Sequence, residues 1–119
     1  MKNIEHNLQC ACVKWFRLQY PNYANNLIAI PNGAKRDPRS GKWYKDEGLM
    51  AGAPDLVLLA PDWKAEFHGV GIEFKTEKGK QTDAQKNMET DLKKENNRYL
   101  ICRSFDDFRN EIEKYLKNK

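Results

Sequence analysis

A chain of 119 residues is long enough to bury a core without staples and too short to divide into several domains, so a single domain over 1–119 is expected. Its formal charge of +4 permits a polyanionic partner without requiring one, because many basic surfaces are simply solvated. Three cysteines are an odd number and argue against a disulfide framework, and no apolar run approaches the length of a membrane span.

Residues 3–19 make the first predicted element. Ile4, Leu8, Ala11, Cys12, Trp15 and Phe16 recur at helical spacing and form a wide apolar stripe. Glu5 and Gln9 are four apart and stack on one face beside it. By residue type alone they read as an ordinary polar pair at a solvated edge. Cys10 and Cys12 are two apart and point away from each other on a helix. His6 and His68 are isolated, and no second Cys or His pair has zinc spacing. The thiols therefore read as buried and reduced, as in a cytosolic protein. The opening residues carry no apolar signal core, and Pro21 closes the helix.

Residues 25–30 read as a first strand ending in a Pro-Asn-Gly turn. Nothing from 31 to 54 is periodic, and a structureless segment of that length in a small domain is usually functional or disordered. Lys35, Arg36, Arg39, Lys42 and Lys45 are interleaved there with Trp43 and Tyr44. Basic side chains neutralise phosphates and aromatics stack on bases, so a DNA-contacting loop is one expectation. A solvated loop with Trp43 tucked onto the body is the other.

Residues 55–60 form the second predicted strand, an apolar run that begins just after Pro54. The connection 61–69 is too long for a tight hairpin, and its Trp63 and Phe67 read as hydrophobic covers. The third strand, about 71–75, alternates, with Ile72 and Phe74 on one face and Glu73 and Lys75 on the other. A basic stretch with Lys78 and Lys80 leads to a helix over 82–95, where Thr82 and Gln85 have capping-box spacing. Lys78, Lys80 and Lys86 surround its start, where backbone N–H groups favour anions. Residues 98–103 form the fourth strand, which the crossover rule places parallel to the third. Ser104 caps a last helix with Phe105, Phe108, Ile112, Tyr115 and Leu116 on its stripe. The order αβββαβα implies an α/β domain, a mixed four-stranded sheet flanked by helices.

If the second and third strands pair, Asp55 lies near Glu73 and Lys75. Two adjacent carboxylates repel, and one takes up a proton unless a cation neutralises them. Mg²⁺ suits such a pair, since it binds through one or two carboxylates and keeps sites for water and phosphate. The chemistry that follows is phosphodiester hydrolysis, with Lys75 orienting water or holding the phosphate. Each motif alone has a plain reading too: Glu-x-Lys as a cross-strand charge pattern, Pro-Asp as a turn.

Pro54-Asp55 followed by Glu73-Phe74-Lys75 resembles the PD-(D/E)xK nuclease superfamily. The wider pattern is similar to its VRR-NUC branch, in the small stand-alone form of phages and bacteria. Its other elements are Glu5 with Gln9, Ile30-Pro31-Asn32-Gly33, Glu47-Gly48-Leu49 leading to Gly52-Ala53-Pro54-Asp55, Thr76, and Gly79 followed by Gln85. The resemblance implies a restriction-endonuclease-like core and a Mg²⁺- or Mn²⁺-dependent endodeoxyribonuclease. Asp55, Glu73 and the Phe74 backbone carbonyl would be metal ligands, with Glu5 at the metal edge. Gln85 would touch water or phosphate, in competition with its capping role. Lys35, Arg36, Arg39, Lys42, Lys78 and Lys80 are the DNA-binding candidates. The stand-alone members suggest four-way (Holliday) junctions cut by a homodimer in the cytoplasm of a bacterial or phage-infected cell, without membrane or small-molecule cofactor. The alternatives are a flap or duplex nuclease of a phage replication or packaging system, and a DNA-binding module with a dead site.

Overall fold

The apolar stripe of the first segment makes α1 (Ile4–Gln19), which buries Cys12 and Phe16 and ends where Pro21 opens a short 3-10 helix (Pro21–Asn26). The computed structural model describes residues 3–31 and 38–117, with residues 38–40 described by their backbone alone. The expected first strand is shorter than its apolar run: β1 is Leu27–Ala29, because the 3-10 helix takes Asn25 and Asn26. Asn26 still ties the edge by accepting from the Leu59 N–H at 2.8 Å and donating its amide to the Leu59 carbonyl at 2.7 Å.

The stretch expected to lack structure contains α2 (Pro38–Asp46). Proline at the first helical position loses no hydrogen bond. Two pairs at helical spacing then support it: Lys42 with Asp46 at 3.0 Å, and the Trp43 indole donating to Glu47 at 2.9 Å. These pairs were present in the sequence, but the sparse apolar pattern hid the helix.

β2 (Leu56–Leu58) and β3 (Val70–Phe74) follow, then α3 (Asp83–Lys94), β4 (Arg98–Cys102) and α4 (Phe105–Leu116). The sheet order is β1-β2-β3-β4, antiparallel at the first two junctions and parallel between β3 and β4. Leu56, Leu58, Ile72, Phe74, Leu100 and Cys102 face α1 and α4 and join Phe16, Phe108, Ile112 and Leu116 in the core. The opposite face meets α3, where Leu92 packs at Gly71. Burying each of these large side chains contributes about 1.5–3 kcal/mol before entropy is counted. Phe67 packs on the core as expected, beside the Tyr115 ring, whereas Trp63 stays 44% exposed under the Lys117 ammonium. Cys12 and Cys102 are buried thiols that burial pushes up to about 12, and Cys10 is exposed rather than buried.

Gly52 fixes the approach to β2. Its φ is +86°, and a Cβ there would sit 2.5 Å from the Ala84 carbonyl oxygen in the first turn of α3. That contact is with backbone, which cannot swing away. Gly52→Ala is expected to destabilise the fold by about 2 kcal/mol or more, measurable as a lowered midpoint in urea.

Candidate active site

The β2–β3 register pairs Leu56 with Ile72, so one step further Asp55 stands opposite Glu73. Asp55 leaves the regular ladder at that step. Its carbonyl accepts from the Ile30 N–H at 2.9 Å, and its carboxylate accepts from the Phe74 N–H at 2.7 Å. The side chain thus takes the place of a backbone acceptor and locks the start of β2 to the end of β3. In a regular strand a residue's N–H and C=O point to the same neighbour, so the Phe74 carbonyl shares the Asp55 side of β3.

Glu73 is 1% exposed. Its Oε1 accepts from the Tyr99 hydroxyl at 2.5 Å and from the Gln81 amide at 3.3 Å. Its Oε2 is buried and has no hydrogen-bond partner among the described residues. Burial pushes Asp55 above its ordinary 3.8; the Phe74 N–H and Lys75 pull it down, while Glu5 and Glu73 push it further up. Glu5, Glu73 and Lys75 thus all bear electrostatically on the Asp55 carboxylate. Lys75 is half-buried, its N–H donates to the Cys102 carbonyl at 3.0 Å, and its ammonium forms no ion pair among the described residues.

The remaining candidates separate. Gln85 completes the capping box: the Thr82 N–H donates to its Oε1 at 2.9 Å, and its own N–H donates to the Thr82 hydroxyl at 3.1 Å. That side chain is occupied at the helix cap. Lys78 and Lys80 are exposed on the loop between β3 and α3. Lys42 is exposed on α2, with its charge shared by Asp46. Lys35 and Arg36 lie outside the described residues, as does the Arg39 side chain.

Three contributors were not singled out from the sequence. Tyr99 and Gln81 hold Glu73. Arg103 holds the basic loop, since its guanidinium donates to the carbonyls of Thr76 at 2.8 Å, Glu77 at 3.3 Å and Gly79 at 2.6 Å. Gln81 stands four residues before Gln85, and a run of polar residues offered no period to choose between them. Tyr99 reads as a plain strand residue; only its pairing with Gly71 marks it.

Oxygen donors of this kind suit a hard divalent cation, and an orphaned buried carboxylate oxygen fits one as a ligand. Among the described residues no three His, Cys, Asp or Glu side chains gather into a metal cluster.

The model of the VRR-NUC domain family matches residues 3–106. The chain belongs to the VRR-NUC family. Membership carries a nuclease-type function in DNA processing. A solved structure named "VRR_NUC domain protein" is 24% identical, with a TM-score of 0.81 over 98% of this chain and 91% of that one, and shares the fold. No curated protein matches. No helix of this VRR-NUC chain, among the described residues, is long and apolar enough to cross a membrane.

An acid whose pKa is raised on folding costs stability once ionised. The penalty is absent below the unfolded value and grows as pH rises through the folded one. Asp55→Asn keeps an acceptor for the Phe74 N–H and removes the charge. In EDTA its Tm at neutral pH is expected to exceed the parent's, the gap closing as pH falls toward 3.8; melts across that range check it.

Proposed function

We propose that the protein is a divalent-metal-dependent endodeoxyribonuclease that hydrolyses phosphodiester bonds in branched DNA, four-way junctions first. The observation that carries the reading is Glu73: a carboxylate 1% exposed, with one oxygen held twice and the other without a partner among the described residues, opposite Asp55. An acidic pair serves a pure DNA binder poorly, because it repels phosphate.

Asp55, Glu73 and the Phe74 carbonyl would hold Mg²⁺ or Mn²⁺, with Glu5 at the margin. When bound, the ion supplies positive charge to the phosphate and acidifies water. The chain's own residues do the rest. The Lys75 ammonium, which forms no ion pair among the described residues, holds the phosphate or orients the attacking water. Lys78 and Lys80, on the loop that Arg103 fastens, take the DNA backbone beside the site. Lys42, Lys35, Arg36 and Arg39 are the further candidates for phosphate contact, and Trp43, 66% exposed on α2, offers a face for stacking on an open base. Branched substrates and a homodimer follow from the resemblance to stand-alone VRR-NUC proteins; two symmetric nicks need two sites about a twofold axis.

Labelled four-way junctions, flaps and linear duplex, incubated with Mg²⁺, Mn²⁺ or EDTA, test this directly. Cleavage is expected with metal, greatest on the junction, and none in EDTA. Glu73→Gln and Lys75→Ala are each expected to slow single-turnover cleavage by roughly a hundredfold or more, while junction binding in Ca²⁺ persists for Lys75→Ala. Undiminished cleavage by either variant removes the mechanism.

Binding itself is expected to weaken with salt. Replacing Lys78 and Lys80 by Gln should flatten the plot of log affinity against log salt by up to roughly 0.9 per lost phosphate contact. The same replacement at Lys35, Arg36 and Arg39 tests the segment that leads into α2 together with its first turn, with fluorescence anisotropy as the readout.

A further inference from the structure

We infer that Tyr99 and Gln81 are positioning residues for Glu73, holding one of its oxygens so that the other is left for a cation. This rests on the metal-dependent reading above. Both donors converge on the same oxygen, Oε1, the hydroxyl at 2.5 Å and the amide at 3.3 Å, and neither reaches Oε2. A carboxylate gripped through one oxygen cannot turn freely about its last torsion. Two donors shared between the oxygens would have satisfied burial equally well and left neither oxygen wholly free for a metal.

The supports are themselves built. Tyr99 pairs with Gly71 across the parallel junction, and a Cβ on Gly71 would stand 3.2 Å from the ring's Cδ1 and Cε1. The missing side chain lets the ring lie over β3, which brings its hydroxyl to Glu73, two residues further along. Tyr99 is itself 5% exposed, so its direction is fixed by packing. Gln81 is oriented from its other side: its Nε2 also donates to Glu89 at 3.0 Å, and Glu89 is anchored by Lys93 at 2.7 Å. An amide flanked by two carboxylates has to present its NH₂ to both. The grip on Glu73 thus runs through Gln81 and Glu89 to an ion pair on α3.

Tyr99→Phe keeps the ring and removes only the hydroxyl. Gln81→Met keeps length and removes the amide. For each, Mn²⁺ affinity is measured by titration calorimetry, Tm in EDTA, junction affinity in Ca²⁺, and single-turnover cleavage at several Mn²⁺ concentrations. Tyr99→Phe is expected to lose about ten- to a hundredfold in Mn²⁺ affinity, with the cleavage rate falling, recovering in part at high Mn²⁺, and junction affinity unchanged. Gln81→Met is expected to move the same way by less, and it decides the matter if Tyr99→Phe does not fold. A lowered Tm with parental Mn²⁺ affinity and cleavage in both variants means that the two residues only brace the fold, and overturns the inference alone. A parent protein that neither binds Mn²⁺ nor cleaves DNA overturns the metal-dependent reading, and this inference with it.

Discussion

A carboxylate buried to 1% exposure is the constraint around which this small sheet is arranged. Taking an ion out of water costs several kcal/mol even after relaxation. A hydrogen bond to a charged group returns about 1.5–3 kcal/mol. Among the described residues Glu73 has two such donors on one oxygen and none on the other, so these residues compensate the site only in part. The nearby Asp55, displaced upward by burial and by its acidic neighbours, adds to the deficit. On the metal-dependent reading proposed above, a divalent ion would offset both.

The surroundings explain how the sheet carries such a group without unfolding. One face of β3 sends Ile72 and Phe74 into the core against α1 and α4, where aromatic residues from both helices close the layer. The other face is covered by α3 and by the Tyr99 ring over Gly71. Asp55 then completes the β3 ladder with a side-chain oxygen where β2 has stopped pairing. Apolar burial supplies the stability, and the polar bonds supply the orientation. Nearer the surface, Arg103 gathers three carbonyls of the loop that follows Lys75, which sets two lysines in place without drawing on their charges.

The helices were legible where an apolar period was strong, as in α1 and α4, and the crossover rule gave the parallel pairing of β3 with β4. They were less legible where order comes from polar pairs. α2 is held by Lys42 with Asp46 and Trp43 with Glu47, contacts that leave little trace in a hydrophobic pattern. The convergence of Asp55 with Glu73 followed from hairpin logic, because strand register has a period of two and leaves few alternatives. The glutamine near Glu73 did not follow. Gln85 sat at a recognisable position and is spent on the helix cap, whereas Gln81, four residues earlier in an unpatterned stretch, reaches the carboxylate.

What the sequence determined by itself was local and periodic: which faces are apolar, where helices start, and that acids and a lysine share one end of a hairpin. It carried the family likeness as well, since motifs are ordered along the chain. Only the tertiary structure decided which oxygen of Glu73 the described residues hold and which they leave bare. That depends on a tyrosine from one strand crossing a glycine of another, and on an amide fixed by a helix that follows it. Hydrogen bonds between residues 26 and 8 positions apart act over a few ångströms in space, and no spacing along the chain encodes them.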